Sequence, residues 1–188
     1  MSSPGSPKHD KRDDQSKPKG VPLVMALGIA LLAGIAYGLY YGKISLREFQ
    51  GTRPDQLKQL SSRFQFVLRN ITPGLVWFVF TLIYVGVKRG KRSPITTNDA
   101  VVQMAKNMAQ NTLEQLVLSV CTQLVLVTYL EPRQIITVIP VMNIMFIVGR
   151  VLFFLGYPNY RGPGFQMTSF PTIAAIGYVG YRYAKSIF

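Results

Sequence analysis

The sequence predicts an all-helical integral membrane protein, a bundle of about five transmembrane helices, and two observations carry that prediction. Of its 188 residues, 48% are hydrophobic and only 15% are charged, with a mean hydropathy of +0.21, a balance unlike that of an ordinary soluble domain. The apolar residues also stand apart from the charges, in stretches at Val21 to Tyr41, Ile71 to Val87, Leu113 to Leu130, Ile135 to Tyr157 and Met167 to Tyr183. Each approaches the ~17 to 25 residues that a helix needs to cross a bilayer.

Taken in order, residues 1–20 form a tail of Pro, Ser, Gly and charge, too polar to bury a core and expected to be disordered. Residues 21–42 follow as an N-terminal anchor. Their apolar run is longer than the core of a signal peptide and has a polar tail ahead of it. Gly28, Gly34 and Gly38 give this span small faces suited to close helix contacts in lipid. Residues 43–70 are a basic connection in which Leu57, Leu60, Phe64 and Val67 fall at helical spacing, the pattern of an amphipathic helix lying in the membrane interface.

Residues 71–188 hold the remaining spans. The second ends in the basic loop "KRGKR" (88–92). A long helix starting near Thr97 to Asp99 comes next, polar in its first half and apolar in its second; its polar half either projects beyond the bilayer or is shielded in an oligomer. A tight "EPRQ" turn (131–134) makes the third and fourth spans antiparallel neighbours whose polar faces can meet. The last stretch, interrupted by Pro171, Gly177 and Gly180, is either a span or a shallow helix.

A net charge of +13 invites a nucleic-acid reading, but the 21 Lys and Arg are spread over tail, loops and helix ends. No basic motif interleaved with aromatics appears, so no nucleic-acid partner is expected. Juxtamembrane clusters of this kind meet the anionic headgroups of the lipid bilayer. With a cytoplasmic N-terminus the positive residues divide eleven against nine across the membrane, which hardly sets the topology. The only cysteine is Cys121 and the only histidine is His9, in the tail. An intrachain disulfide, a histidine-dependent triad and a histidine-rich metal site are thereby excluded, and no Cys-based zinc site is expected.

The candidate site lies on the third and fourth spans. Gln103, Asn107, Gln110 and Glu114 recur at steps of four, three and four, with Asn111 beside them, and Asn143, Arg150 and Tyr157 recur every seven. Each set shares one helix face. A charge near a bilayer centre costs roughly 3 kcal/mol on insertion scales. The simplest account of Glu114 and Arg150 is therefore that they pair, directly or across a subunit boundary. That pair is either structural, holding helices in register, or one part of a site in which Arg150, Asn107, Asn111, Gln110 and Tyr157 receive an anionic ligand. Arginine suits a carboxylate or thiolate because its planar fork makes charge-assisted, geometrically fixed bonds.

At these residues the sequence resembles the MAPEG family, the membrane-associated proteins in eicosanoid and glutathione metabolism. Two motifs carry the likeness, "NTLE" (111–114) in a long helix after a basic loop, and "GRVLFFLGY" (149–157), in which Tyr157 follows Arg150 by seven residues. The resemblance covers about residues 71–188, a MAPEG-like four-helix unit, and the extra first span is similar to mattrin-like proteins. It implies a homotrimer with glutathione, as cosubstrate or ligand, held between subunits and open to the cytoplasm. Asn111, Glu114, Arg150 and Tyr157 would take the motif roles, and a lipophilic small molecule would arrive through the bilayer of an endomembrane. It also puts residues 43–70, with six basic residues, on the lumenal side, against the charge rule.

The departures from the family bear on activity. Where family enzymes bring further arginines just before the motif, this chain has Asn107 and Gln110, and Phe153 stands where some members have a tyrosine. A glutathione thiolate needs positive charge or donors nearby. Beyond Arg150, the candidates are Arg161 in the loop, Tyr160, Thr168 and Ser169, and the activating residue stays unassigned. Two function classes follow. One is a thiol-binding protein that conjugates or reduces lipophilic electrophiles; the other is a non-catalytic scaffold or regulator that keeps the helical frame. A small transporter is a third, disfavoured because no pair of broken helices is present.

Overall fold

The computed structural model describes residues 52–90 and 100–188. The tail, the expected first span and the expected start of the long helix at Thr97 to Asp99 lie outside the described residues. Within them a single 3-10 turn, Pro54–Leu57, precedes helices α1 (Leu60–Gly90), α2 (Ala100–Tyr129), α3 (Pro132–Gly156) and α4 (Arg161–Ile187). No strand occurs among the described residues. α1, α2 and α3 are long and apolar enough to cross a membrane. α4 has the length, at 27 residues, but a more polar composition, which matches the interruptions noted in its sequence.

The bundle runs up, down, up, down. Along α2, Asn111 and then Gln123 bond to Arg150 and then Asn143 of α3, so α2 and α3 are antiparallel. Gly74 of α1 faces Leu116, while Val85 packs with Ala105 and Ala109, which orders α1 against α2 in the same way. α1 packs most closely on α2, and α3 on α4; α2 and α3, although joined by the shortest turn, touch only slightly. The turn is made by Pro132 opening α3 and by the Glu131 backbone N–H, which donates to Gln134 Oε1 at 3.0 Å. Proline there costs no helical hydrogen bond, since the first N–H groups of a helix have no partner within it.

Residues 54–69 do not form one separate interfacial helix. Residues 54–57 are the 3-10 turn, and Leu60 to Arg69 are the first turns of α1, which continues unbroken through Asn70 and Ile71. This segment docks on the bundle. Leu57 and Val67 are buried in the main core cluster beside Leu126, Val127 and Ile135. Arg63 donates from Nε to the Leu57 carbonyl at 2.9 Å and from Nη1 to the carbonyls of Val127 and Leu130 at 3.0 and 3.1 Å. It thereby satisfies carbonyls at the end of α2 that lack intrahelical donors, with a charge of the sign favoured by a helix C-terminus.

In lipid the hydrophobic effect does not hold helices together, so close packing and interhelical hydrogen bonds must. α3 and α4 cross where Gly149 meets Gly164: a Cβ on Gly164 would stand 2.2 Å from Phe153 N and 2.6 Å from Gly149 O. Only glycine allows the two backbones to come so near. Above and below that crossing the contacts are polar, and α2 supplies most of them. Asn111, Gln115, Ser119 and Gln123, four residues apart, face inward. Gln115 Oε1 accepts from Ser169 Oγ of α4 at 3.1 Å, while Gln123 and Asn143 exchange bonds, the shorter at 2.8 Å.

Candidate ligand-binding site

α2 thus carries two polar stripes. The second, Gln103, Asn107, Gln110 and Glu114, is exposed on the outer face and tied lengthwise. Gln103 Nε2 donates to Asn107 Oδ1 at 3.2 Å and Gln110 Nε2 to Glu114 Oε1 at 2.9 Å. On one side of it lies a cavity of about 480 Å³ lined by Asn107, Gln110, Asn111 and Glu114 of α2, Phe153 and Tyr157 of α3, and Arg161 and Phe165 of α4. On the other side a groove of about 570 Å³ runs between α1 and α2, where Arg89 and Lys106 join Gln103, Asn107 and Gln110. Asn107 and Gln110 form the ridge between the two.

Six of the residues singled out from the sequence, Asn107, Gln110, Asn111, Glu114, Tyr157 and Arg161, therefore meet at one cavity. Arg150 does not join them. It is 0% exposed, the largest fully buried side chain among the described residues, and it stands behind the cavity wall. Nor does it make, within the chain, the expected pair with Glu114. Its Nη1 donates to Asn111 Oδ1 at 2.8 Å and its Nη2 to Thr168 Oγ1. Glu114, on the outer face, has Gln110 as its partner instead. The reason is rotational: Asn111 faces the α3 and α4 seam, and Glu114, most of a turn further on, faces outward.

The buried guanidinium is accommodated by neutral groups. Its carbon lies 4.8 Å from the centre of the Phe153 ring and 5.7 Å from that of Phe146, close enough for the ring faces to attract it. Nε makes no hydrogen bond. Phe153, which cannot donate a bond to a ligand, here serves the arginine. Thr168 and Ser169 are buried and engaged with Arg150 and Gln115, and Tyr160 lies on the exposed surface. Of the named thiol-activating candidates, Arg161 alone lines the cavity, its guanidinium 5.7 Å from the centre of the Tyr157 ring.

Sequence reasoning missed Arg89 and Lys106, which bring positive charge to the far side of the ridge. Lys106 precedes Asn107 in the outer stripe, and that adjacency was a usable signal. A larger groove of about 600 Å³, between α2, α3 and α4 at the opposite end, is lined by Leu126, Val138, Met142, Met145 and Ala175 among others. It is almost wholly apolar, with Arg133 as its single charged residue. Chemically, that cavity offers a carboxylate at Glu114, a guanidinium at Arg161, a phenol at Tyr157 and amides between them.

Compared with known families, residues 74–181 match the MAPEG family, a span that runs from α1 into the last turns of α4 and takes in every residue of the cavity. No curated protein and no solved structure matches the chain.

Proposed function

Because the chain belongs to the MAPEG family, we propose that it binds glutathione, or a similar anionic thiol, in the cavity between the outer face of α2 and the α3–α4 junction. The observation that carries the reading is the convergence of Glu114, Asn111, Tyr157 and Arg161 on one cavity of about 480 Å³, within the ~300 to 1,000 Å³ usual for small-ligand sites. A zwitterionic peptide fits this distribution of charge. Its ammonium lies toward Glu114, a carboxylate toward Arg161, and its amides toward Asn111 and Gln110. Since the outer stripe is exposed in the single chain, a neighbouring subunit of a homotrimer closes the site. The surrounding bilayer delivers the second, lipophilic substrate to an endomembrane protein whose site faces the cytoplasm.

The reaction proposed is conjugation or reduction of that substrate. The thiol gives up its proton to water. The thiolate sulfur attacks either the electrophilic carbon, forming a C–S bond as the leaving group departs with its electron pair and takes up a proton, or a peroxide oxygen, breaking the O–O bond to release an alcohol and a sulfenic acid. A second glutathione converts the sulfenic acid to disulfide and water. Cationic stabilisation of the thiolate is the requirement. Arg161, the one cation among the described residues lining the cavity, is the residue that meets it. A second reading, a non-catalytic scaffold keeping the MAPEG frame, is favoured by Asn107 and Gln110 at positions where the family brings arginines.

Calorimetric titration of the detergent-solubilised full chain with glutathione, beside Arg161→Leu and Glu114→Gln, tests the proposal. Saturable binding weakened about tenfold or more by each variant, as for a lost charged hydrogen bond, is expected. Binding by none of the three would leave the scaffold.

A further inference from the structure

Arg150 neither lines the cavity nor bonds to Glu114, yet it bonds directly to a residue that lines the cavity. A guanidinium carries only donors. The Asn111 atom facing it at 2.8 Å must therefore be the carbonyl oxygen, whichever way the amide would turn if left to itself. In a planar amide the nitrogen then points away from Arg150. Asn111 is half-buried and its remaining surface borders the cavity. What it shows a ligand is an NH₂ group.

The second bond of Arg150 is fixed by the same logic. The Thr168 hydroxyl donates to the Phe165 carbonyl at 2.8 Å, which leaves its oxygen to accept from Arg150 Nη2. Thr168 is brought there by the Gly149 and Gly164 crossing, where a Cβ on Gly149 would stand 2.6 Å from Thr168 Cγ2. Phe146 and Phe153 cover the guanidinium. The arginine is thus clamped on one side and free to act on one partner alone.

We infer that Arg150 is a positioning residue that locks the Asn111 amide with its NH₂ toward the cavity, making that wall a hydrogen-bond donor selective for a carbonyl or carboxylate oxygen of the bound peptide. The inference rests on the reading of the cavity as a site for a glutathione-like ligand. It differs from direct recognition, because Arg150 touches no part of the ligand and its effect passes entirely through Asn111.

The test is glutathione affinity of the full-length oligomer, measured with Arg150→Met, Asn111→Ala, the double variant and Asn111→Asp. Each single change to Met or Ala is expected to weaken binding about tenfold, the loss of one oriented hydrogen bond. Adding Arg150→Met to Asn111→Ala should change affinity less than about twofold, since coupled residues are not additive. Losses that multiply would mean that Arg150 contacts the ligand itself and would overturn the inference. Should Arg150→Met fail to assemble, Asn111→Asp decides alone. It keeps an acceptor for Arg150, so it assembles, but it turns an oxygen toward the cavity and should lose binding at least tenfold. An Asn111→Asp protein that binds like the native one overturns the inference. Native protein that takes up no glutathione instead removes the reading of the cavity on which the inference stands.

Discussion

A guanidinium with no carboxylate partner is held in this bundle by two oxygen acceptors and the faces of two aromatic rings. Removing one partner of a buried charge is far more costly than the net worth of the pair. Thr168→Val, which leaves Nη2 unsatisfied, is accordingly expected to destabilise the protein by about 1–3 kcal/mol, read as a lower midpoint in thermal denaturation in detergent. The glycines make a sharper comparison. Gly164→Ala places a Cβ against the Phe153 backbone and should cost about 1–3 kcal/mol or more. Gly162→Ala, with nothing within 4 Å of the added carbon, should leave the midpoint where it is. Arg150 was legible in the sequence as a charge that needed a partner, but the partner was not. Asn111 and Glu114 lie three residues apart on one helix, and only the rotation of α2 against α3 and α4 chooses between them.

The helix α2 reads differently on its two faces. Its outer stripe stood out because Gln103, Asn107, Gln110 and Glu114 interrupt a polar half at helical spacing. The inner stripe runs into apolar sequence, and Gln115, Ser119 and Gln123 were not singled out there. Their shared period of four was the available sign. Gln123→Leu, which removes the exchange with Asn143, is expected to cost about 0.6 kcal/mol and at most about 1.7, the mean and maximum for interhelical polar contacts in membranes. At the other end, Arg63→Met withdraws its bonds from the carbonyls of Leu57, Val127 and Leu130. Here the expectation is about 1–3 kcal/mol and faster proteolysis between the 3-10 turn and α1, followed by gel after limited digestion. The amphipathic spacing of Leu57, Phe64 and Val67 was readable, but not that their surface was the bundle. One of the six basic residues that strained the topology argument, Arg63, is spent on a helix end.

Across the whole molecule the chemistry and the grease divide by end. Lys88, Arg89, Lys106 and Arg161 gather where α1 ends, α2 begins and α3 gives way to α4, and the polar cavity opens there. The opposite end holds the apolar groove and the core around Leu126, Ile135 and Met142. The four-helix frame and the α2–α3 turn were legible because length, apolar runs and the "EPRQ" turn constrain them locally, but the last turn was not: Arg161, read from the sequence as a loop residue, already opens α4, and Pro163 and Gly164 lie inside that helix. The cavity was legible only in part, since it depends on α4 lying against α2, a contact that no local pattern encodes.

Hydrogen–deuterium exchange of the detergent-solubilised full chain, with and without saturating glutathione, tests the central claim most directly, because it reports location as well as binding. Ligand bound between α2 and the α3–α4 junction should slow exchange in peptides covering residues 103–114 and 157–165 while leaving residues 132–145 unchanged. Unchanged exchange throughout, or protection confined to residues 132–145, would contradict the claim that the polar cavity is the thiol site.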